Sequence, residues 1–321
     1  MNDVRIVFMG TPDFAVGVLQ SLIIHKFNVV GVITAPDKPK GRGQKLNQSA
    51  VKKFAIENEL TLLQPSNLKS EDFLSELKKL EANLQIVVAF RMLPKVVWQL
   101  PLLGTFNLHA SLLPDYRGAA PINWAIINGE TKTGVTTFFI DEKIDTGEII
   151  LQKEVDIDIK DTAGDLHDKL MKVGSKLVVD TVKFIEKGIV KTVKQSQFKD
   201  LGVNHIEKSA PKIFKETCKI DWNQPIATIY NKIRGLSPYP ASWTIIDNMN
   251  EKLEAKIYLA DKIIEHHPYS IGKIVASKSE LKVAVREGFI MIYEMQLPGK
   301  RKMKIKDLLN GFSFNENSKM C

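Results

Sequence analysis

The stretch Val4–Thr34, VRIVFMGTPDFAVGVLQSLIIHKFNVVGVIT, decides the fold of this chain. Val4–Met9 is an apolar run interrupted only by Arg5, which is typical of a strand buried on both faces of a parallel sheet. An amphipathic helix is predicted over Phe14–His25, and Phe27–Thr34 is predicted as the next strand. This β-α-β order indicates an α/β fold with a Rossmann-like, doubly wound, mainly parallel sheet.

A second stretch, Gly104–Gly147, carries polar groups suited to chemistry and reads GTFNLHASLLPDYRGAAPINWAIINGETKTGVTTFFIDEKIDTG. Its first apolar run predicts a strand that delivers Asn107 and His109. Because alternate residues of a strand face the same way, these two side chains should share a face. Another β-like run leads to a loop that carries Asp145. Since α/β sheets place their chemistry on loops at strand ends, we expect an amide, an imidazole and a carboxylate to meet there.

These three groups suit one kind of reaction. The imidazole of His109 can take or give a proton near neutral pH, and the amide of Asn107 can donate to a developing oxyanion. The carboxylate of Asp145 would hold the imidazole in orientation. No Ser or Cys nucleophile is needed if the substrate brings its own amine, so the trio favours acyl or formyl transfer to an amine. A lone Asn-x-His pair in a strand is, however, more often structural.

The composition is that of an ordinary globular protein, and 321 residues suffice for two domains. No apolar run approaches the ~20 residues of a membrane span, and Met1–Arg5 lacks the features of a secretion signal. The two cysteines, Cys218 and Cys321, cannot form a disulfide framework, which favours the reducing cytoplasm. CxxC and HExxH motifs are absent from the sequence, so we predict no metal site.

Beyond the central stretch the sequence pattern changes. Asp161–Lys187 is predicted as a long helix, and the polar segment after it is interpreted as a linker. From Trp243 onward, short β-like runs alternate with turns, which indicates a small β-barrel. Trp222, Tyr239 and Trp243 are interpreted as core aromatics. The predicted organisation is a first domain over 1–189, a linker over 190–207 and a barrel domain over 208–321.

Positive charge is concentrated in two regions. Residues 210–321 hold 18 Lys and Arg against 12 Asp and Glu, which is +6 of the net charge of +8, and include the dense cluster Lys300–Lys306. The segment Ala35–Ala50 holds four basic residues and one acid without periodicity, so we predict a long mobile loop. Basic surfaces favour a polyanion such as nucleic acid. A solvated lysine-rich surface fits the charge equally well.

Longer motifs carry a resemblance to a known family. The run NLHASLLPDYRGAAPI at 107–122, followed by D-x-x-x-D-T-G at 141–147, resembles the signature of the 10-formyltetrahydrofolate-dependent formyltransferases. The patterns K-x-x-P-K at 208–212, I-D-W at 220–222 and S-P-Y-P-A-S-W at 237–243 resemble the C-terminal region of one branch of that superfamily, the methionyl-tRNA formyltransferases. The resemblance covers nearly the whole chain.

This resemblance implies a reaction, in which 10-formyltetrahydrofolate formylates the α-amino group of methionine on initiator methionyl-tRNA without a metal. It implies that Asn107 stabilises the oxyanion, that His109 relays protons from the attacking amine to the leaving folate nitrogen, and that Asp145 orients His109. The folate would bind among three turns, and the implied contacts are Phe90, Arg91, Met92, Leu93, Ser111, Leu112, Leu113, Pro114, Ile140 and Asp141.

The resemblance also assigns the basic segments to tRNA. A similar Gly-Arg-Gly loop grips the acceptor end in the family, which makes Arg42 the principal candidate. The implied tRNA-binding residues are Arg42, Lys38, Lys40, Lys45, Lys208, Lys300, Arg301, Lys302 and Lys304. The C-terminal domain would be an OB-like barrel, and the protein would act as a monomer.

Other functions fit parts of the sequence. A formyltransferase for a small amine such as an amino sugar nucleotide, or the formyl-folate hydrolase unit of a larger enzyme, would share the catalytic trio, but the basic segments argue against both. The complete trio argues against a non-catalytic nucleic-acid-binding protein. A nicotinamide dehydrogenase would need a glycine fingerprint, which GTPDF at 10–14 lacks.

Overall fold

In a computed structural model that describes residues 3–40, 45–197, 207–249 and 251–321, the first apolar run forms strand β1 (Arg5–Gly10). Helix α1 (Asp13–Ile24) follows at once. Gly10 permits this sharp turn because a Cβ there would lie 2.5 Å from the Cβ of Ala15. Strand β2 (Asn28–Ile33) then pairs with β1 in parallel, so the predicted β-α-β unit is confirmed.

The sheet continues on both sides of β1. The further strands in the first part of the chain are β3 (Lys38–Lys40), β4 (Lys45–Asn47), β5 (Leu62–Leu63), β6 (Leu84–Val88), β7 (Thr105–His109), β8 (Arg117–Gly118), β9 (Lys132–Phe139) and β10 (Ile149–Asp156). Seven strands form one sheet in the order β10-β9-β7-β6-β1-β2-β5. The pairs from β5 to β7 are parallel, whereas β9 runs antiparallel to β7. The sheet is therefore mainly parallel and doubly wound, as predicted, with its switch point between β1 and β6.

Five further helices accompany these strands, namely α2 (Ala50–Glu57), α3 (Glu71–Lys79), α4 (Lys95–Trp98), α5 (Pro121–Ile127) and α6 (Ala163–Glu186). The long helix α6 was predicted over Asp161–Lys187; it begins two residues after that start and ends one residue before that end. Its N-terminus is capped reciprocally, because the Thr162 hydroxyl accepts from the Asp165 N–H at 3.2 Å while the Asp165 carboxylate accepts from the Thr162 N–H at 2.9 Å.

The basic segment at 35–50 differs from the prediction of a loop without regular structure. Strands β3 and β4 pair in antiparallel register, with Lys38 opposite Asn47. The base of this hairpin is fixed, because Asp37 accepts hydrogen bonds from Lys52 at 2.6 Å and from Gln64 at 3.0 Å. The prediction failed because a short hairpin of polar residues has no hydrophobic alternation to reveal it.

Of the predicted linker, the structure describes residues 190–197 and 207, and the first of these segments is held by backbone pairing. Val193 forms two backbone hydrogen bonds of 2.9 Å with Ile149, at the start of β10. Gln195 is buried, with 3% of its surface exposed. This segment therefore extends the α/β structure instead of leaving it.

The chain folds into two compact units. Unit 1 comprises Met1–Gly118, Thr133–Val155 and His167–Ser209, and unit 2 comprises Ala119–Lys132, Asp156–Leu166 and Ala210–Cys321. Neither unit is continuous in sequence. The domain boundaries expected from the sequence, at 189 and 208, stay a prediction.

Unit 2 holds the predicted β-barrel. The elements of the chain from residue 209 onward are β11 (Ser209–Ala210), a 3-10 turn (Glu216–Cys218), α7 (Ile226–Gly235), β12 (Ser242–Asn248), β13 (Glu251–Ile264), β14 (Ile274–Ala276), β15 (Leu281–Val285), β16 (Gly288–Gln296), β17 (Met303–Lys304), α8 (Ile305–Leu309) and β18 (Lys319–Met320). Six strands follow in the antiparallel order β14-β15-β16-β13-β12-β18, and β17 pairs with β16. Hydrogen bonds from Ile274 N to Ser318 O and from Met320 N to Gly272 O nearly close the barrel.

The aromatic residues of unit 2 only partly follow the prediction of core positions. Trp222 is buried, and its indole Nε1 donates to the Thr244 hydroxyl at 2.9 Å. Trp243 is half-buried. Tyr239 is 82% exposed, so the prediction was wrong for this residue, which lies in the turn between α7 and β12 and points into solvent.

Candidate active site

Strand β7 presents both strand-borne candidates. Asn107 and His109 occupy alternate positions, and their partners on β9 are Phe138 and Thr136. His109 is buried, whereas Asn107 is partly accessible. Within the described residues the Asn107 carboxamide makes no hydrogen bond, so its N–H groups are available to a substrate oxygen.

The imidazole of His109 is fixed by a backbone group. Its Nε2 lies 2.8 Å from the carbonyl oxygen of Tyr116. Because a carbonyl oxygen can only accept, Nε2 carries a proton and the neutral ring has its lone pair on Nδ1. Nδ1 lies 3.8 Å from Oδ2 of Asp145, too far for a hydrogen bond but close enough for electrostatic stabilisation of the protonated ring. The structure therefore brings the imidazole and the carboxylate together and makes Nδ1 the basic atom.

Asp145 reaches this position by an unexpected route. Because β9 is antiparallel to β7, its last residue, Phe139, pairs with Phe106 near the start of β7. The loop after β9 must therefore fold back to bring Asp145 to His109. The sequence predicted the two strands and the meeting of the three groups, but it did not predict the antiparallel direction of β9.

The conformation of Asp145 is constrained on several sides. Its φ of 55° lies in the left-handed region, which residues with a side chain rarely occupy. Its Oδ2 accepts from the backbone N–H of Gly118 at 3.0 Å. Its carbonyl oxygen accepts from Arg117 Nε at 3.1 Å and from Gln195 Nε2 at 2.9 Å. These bonds fix where the carboxylate lies relative to the imidazole.

The turn at Ser111–Pro114 is held by two residues that the sequence reasoning missed. The Thr136 hydroxyl donates to the Ser111 carbonyl at 2.7 Å and accepts from the Leu113 N–H at 3.2 Å. Gln152 Nε2 donates to the Leu113 carbonyl at 2.8 Å. Leu112 packs against Gly134, where a Cβ would lie 2.5 Å from its Cδ2. The turn is thus a rigid surface next to His109.

The turn at Phe90–Leu93 has a mixed character. Leu93 is buried, whereas Met92 is 68% exposed and available to an apolar ligand. The guanidinium of Arg91 donates to the carbonyls of Ser66 and Pro65 and so ties this turn to the chain after β5. Burial lowers the pKa of Arg91. Arg91 is thus placed to hold the turn, while Phe90 lies beneath its guanidinium.

The loop that contains Ile140 and Asp141 is organised internally. The Asp141 carboxylate accepts from the Lys143 N–H at 3.0 Å and from the Thr146 hydroxyl at 2.8 Å. Ile140 and Asp141 are among the residues that line a cleft of about 600 Å³, and residues 194–196 line it as well. The Asp141 carboxylate therefore stabilises the conformation of the loop.

The candidates for tRNA contact are spread along the chain. Arg42 lies outside the described residues, and of the other basic residues in the hairpin only Lys38 has a described side chain, which is exposed. The Lys52 ammonium, through its hydrogen bond, and secondarily Gln64 hold the pKa of Asp37 below its ordinary value. Lys208 lies beside Asp115 and Tyr116 in unit 1.

The basic cluster of unit 2 is exposed, comprising Lys300, Arg301, Lys302 and Lys304. Lys302 is already engaged, because its ammonium lies 2.6 Å from the Glu294 carboxylate and over the ring of Tyr258. Of the residues that the structure describes, no three His, Cys, Asp or Glu form a possible metal cluster. Nor does any helix in the described ranges have the length and apolarity to cross a membrane.

Sequence comparison covers the whole chain. The family profile described as formyl transferase matches residues 4–182, and the profile described as formyl transferase, C-terminal domain, matches residues 212–313. The chain is 59% identical over 320 residues to a methionyl-tRNA formyltransferase of Flavobacterium johnsoniae, with all of both chains covered. It is 53% identical over 321 residues to one of Bacteroides fragilis, with 99% of this chain and 98% of that protein covered.

Solved structures share the fold at lower identity. An N-formyltransferase from Helicobacter canadensis, crystallised with folinic acid and dTDP-3-aminofucose, superposes with a TM-score of 0.62 at 22% identity and covers 94% of this chain and 100% of its own. HypX from Aquifex aeolicus in complex with tetrahydrofolic acid superposes with a TM-score of 0.62 at 17% identity, covering 96% of this chain and 47% of its own. These structural similarities support the fold alone. The family profiles and the sequence identity along the full length show that this chain belongs to the formyl transferase family.

Proposed function

We propose that this chain transfers the formyl group of 10-formyltetrahydrofolate to the α-amino group of methionine on initiator methionyl-tRNA. The assignment of methionyl-tRNA as the acceptor rests on the sequence identity of 53–59%, over the full length, to relatives named methionyl-tRNA formyltransferase. The observation that carries the chemistry is the imidazole of His109, held at Nε2 with Nδ1 facing Asp145. The two observations are independent.

His109 acts as the base in this proposal. The α-amino group must be neutral to attack, and Nδ1 of His109 takes its proton as the new C–N bond forms. The ring becomes an imidazolium next to the Asp145 carboxylate, which stabilises the positive charge at 3.8 Å. The same proton then passes to N10 of the folate as the bond from N10 to the formyl carbon breaks.

Asn107 stabilises the charge that develops on the formyl oxygen. Its carboxamide donates to that oxygen, and it is already free of competing bonds among the described residues. Asp145 is a positioning residue for His109, because it acts on the reaction through the imidazole and not through a contact of its own with the substrates. The roles of all three residues are part of the proposal.

The formyl donor is a substrate that binds next to these groups. We assign it to the turns at Phe90–Leu93 and Ser111–Pro114 and to Ile140 and Asp141. The structure suits such a ligand, because the second turn is fixed by Thr136 and Gln152 while Met92 leaves apolar surface open. Fixed backbone groups next to an exposed apolar surface match a flat heterocycle with a polar edge.

The basic residues supply the contacts to tRNA in this proposal. Phosphate contacts from Arg42 and the hairpin position the acceptor end, and the exposed cluster Lys300–Lys304 adds a salt-sensitive contact. The protein works as a monomer in the cytoplasm, in keeping with the free thiols of Cys218 and Cys321.

The test is a comparison of acceptors in one assay. Transfer from 10-formyltetrahydrofolate is measured with charged initiator tRNA, charged elongator methionyl-tRNA, free methionine and an amino sugar nucleotide. We expect transfer to the initiator tRNA alone, and a loss of at least ~10²-fold in His109→Ala. Transfer to the sugar with the tRNA inert would keep the catalytic trio and overturn the acceptor. Near-normal turnover of His109→Ala would overturn the role of the imidazole.

A further inference from the structure

We propose that Gln195 is a positioning residue that, together with Arg117, holds the loop of Asp145 in its active conformation. The inference rests on the proposed function for its kinetic consequence, but its structural consequence can be measured separately. Gln195 lies in the segment after α6; it borders the same cleft as Ile140 and Asp141 but belongs to none of the three turns assigned to the formyl donor.

The side chain of Gln195 makes four hydrogen bonds while almost completely buried. Its Oε1 accepts from Arg117 Nε at 3.1 Å and from Arg117 Nη2 at 2.6 Å. Its Nε2 donates to the carbonyl of Asp145 at 2.9 Å and to that of Gly147 at 2.8 Å. Every donor and both lone pairs of the amide are thereby used.

These bonds hold the carbonyl of a strained residue and the chain just after it. Asp145 has a φ of 55°, and a residue with a side chain remains in this region only when its surroundings impose it. Gln195 binds the carbonyl of Asp145 and the carbonyl two residues later, while Arg117 Nε binds the former as well. The hydrogen bonds from Gln195 and Arg117 therefore fix the peptide planes that orient the Asp145 carboxylate toward His109.

Only an amide satisfies this arrangement. A carboxylate at position 195 could accept from Arg117 but would place negative charge against two carbonyl oxygens and donate to neither. An apolar side chain would remove one hydrogen-bond partner each from the Arg117 guanidinium, the Asp145 carbonyl and the Gly147 carbonyl. Arg117 itself is held by Glu207, whose Oε2 lies 3.2 Å from Nη1.

The position of Gln195 is set by backbone pairing. Val193, two residues earlier, exchanges two hydrogen bonds of 2.9 Å with Ile149. This pairing brings the segment alongside the exit of the Asp145 loop at Gly147. The same segment offers a matched control, because Gln197 is exposed and is the same residue type.

The kinetic test compares Gln195→Leu and Gln195→Glu with Gln197→Leu. We expect both Gln195 variants to lower kcat by about 10- to 100-fold, with KM for donor and tRNA within about twofold, and Gln197→Leu to match the wild type. In an Asp145→Asn background, Gln195→Leu should lower kcat by less than about twofold more, because it acts through Asp145. Gln195→Glu keeps the pairing with Arg117 and serves where Gln195→Leu fails to fold.

A structural measurement is independent of the acceptor. The Gly118 N–H, bound to the Asp145 carboxylate, should exchange with deuterium at least about tenfold faster in both Gln195 variants than in Gln197→Leu. An unchanged Gly118 exchange rate, or a loss in kcat that persists in the Asp145→Asn background, would overturn the inference. If the wild-type protein leaves tRNA unformylated, the proposed function fails while the exchange rates still decide the role of Gln195.

Discussion

Replacing Gly147 even by alanine should lower both stability and turnover, because the added Cβ has no space. A Cβ added to Gly147 would lie 1.6 Å from the carbonyl oxygen of Phe139, whereas Cβ atoms essentially never come within 3.0 Å of such a neighbour. The obstacle is backbone at the end of β9 and cannot rotate away. Gly147→Ala must therefore move the two segments apart by at least about 1.4 Å.

The displacement has two costs that can be estimated separately. It breaks the hydrogen bonds from Phe139 N to the Glu148 carbonyl, 3.0 Å, and from Gln195 Nε2 to the Gly147 carbonyl, 2.8 Å. Two such bonds contribute about 2 kcal/mol to the free energy of unfolding, which corresponds to roughly 4–8 °C in Tm. The displacement also shifts Asp145, two residues away, and a misplacement of about 1 Å lowers turnover by roughly 10²-fold.

Thermal unfolding and single-turnover formyl transfer measure these two effects on the same sample. The matched control is Gly311→Ala, because a Cβ at Gly311 meets nothing within 4 Å and its φ is ordinary. We expect the control to keep the turnover of the wild type. If Gly147→Ala kept the Tm and turned over within about threefold of the control, the close approach would not hold the loop, and the reasoning would be refuted.

Three further predictions concern other parts of the chain. Thr136→Val removes a hydroxyl that bonds the backbone of the Ser111–Pro114 turn and should raise KM for the formyl donor while costing about 1–3 kcal/mol of stability, measured by steady-state kinetics and thermal unfolding. Asp37→Ala should raise KM for tRNA but not for the donor. Because the pKa of Asp37 is lowered, its ion pair with Lys52 is intact at neutral pH and is lost only as the pH falls through that lowered pKa. Titration of Asp37 should therefore add no pH dependence to the wild-type KM near neutrality. Arg301→Met should reduce the slope of log affinity for tRNA against log salt concentration by about one, and Lys302→Met by less, because Lys302 is already paired.

The sequence predicted those parts of the structure that local patterns encode. The buried run before Gly10 and the amphipathic residues after it specify a strand and a helix without any distant contact. The alternation of short β-like runs with turns after Trp243 likewise corresponds to strands, among them β14, β15 and β16. The placement of Asn107 and His109 on the same face of the strand follows from strand geometry in the same way.

The parts that were missed depend on contacts between distant segments. The direction of β9 is set by how it pairs with β7, and no residue in Lys132–Phe139 reveals that direction. The anchor of His109 is the carbonyl of Tyr116, a group that every residue possesses, so the sequence carries no signal for it. Gln195 lies 50 residues from Asp145 in a polar segment, and the pairing of Val193 with Ile149 helps to bring the two together.

The same contacts suggest how the loop can vary without loss of its chemistry. Asp145 and Gly147 are held through backbone atoms, by Gln195, Arg117 and the close approach to Phe139. The side chain of Ile144, by contrast, is 61% exposed and takes no part in this frame. Substitutions of Ile144 can therefore alter what the loop meets in solution while the carboxylate stays aimed at His109.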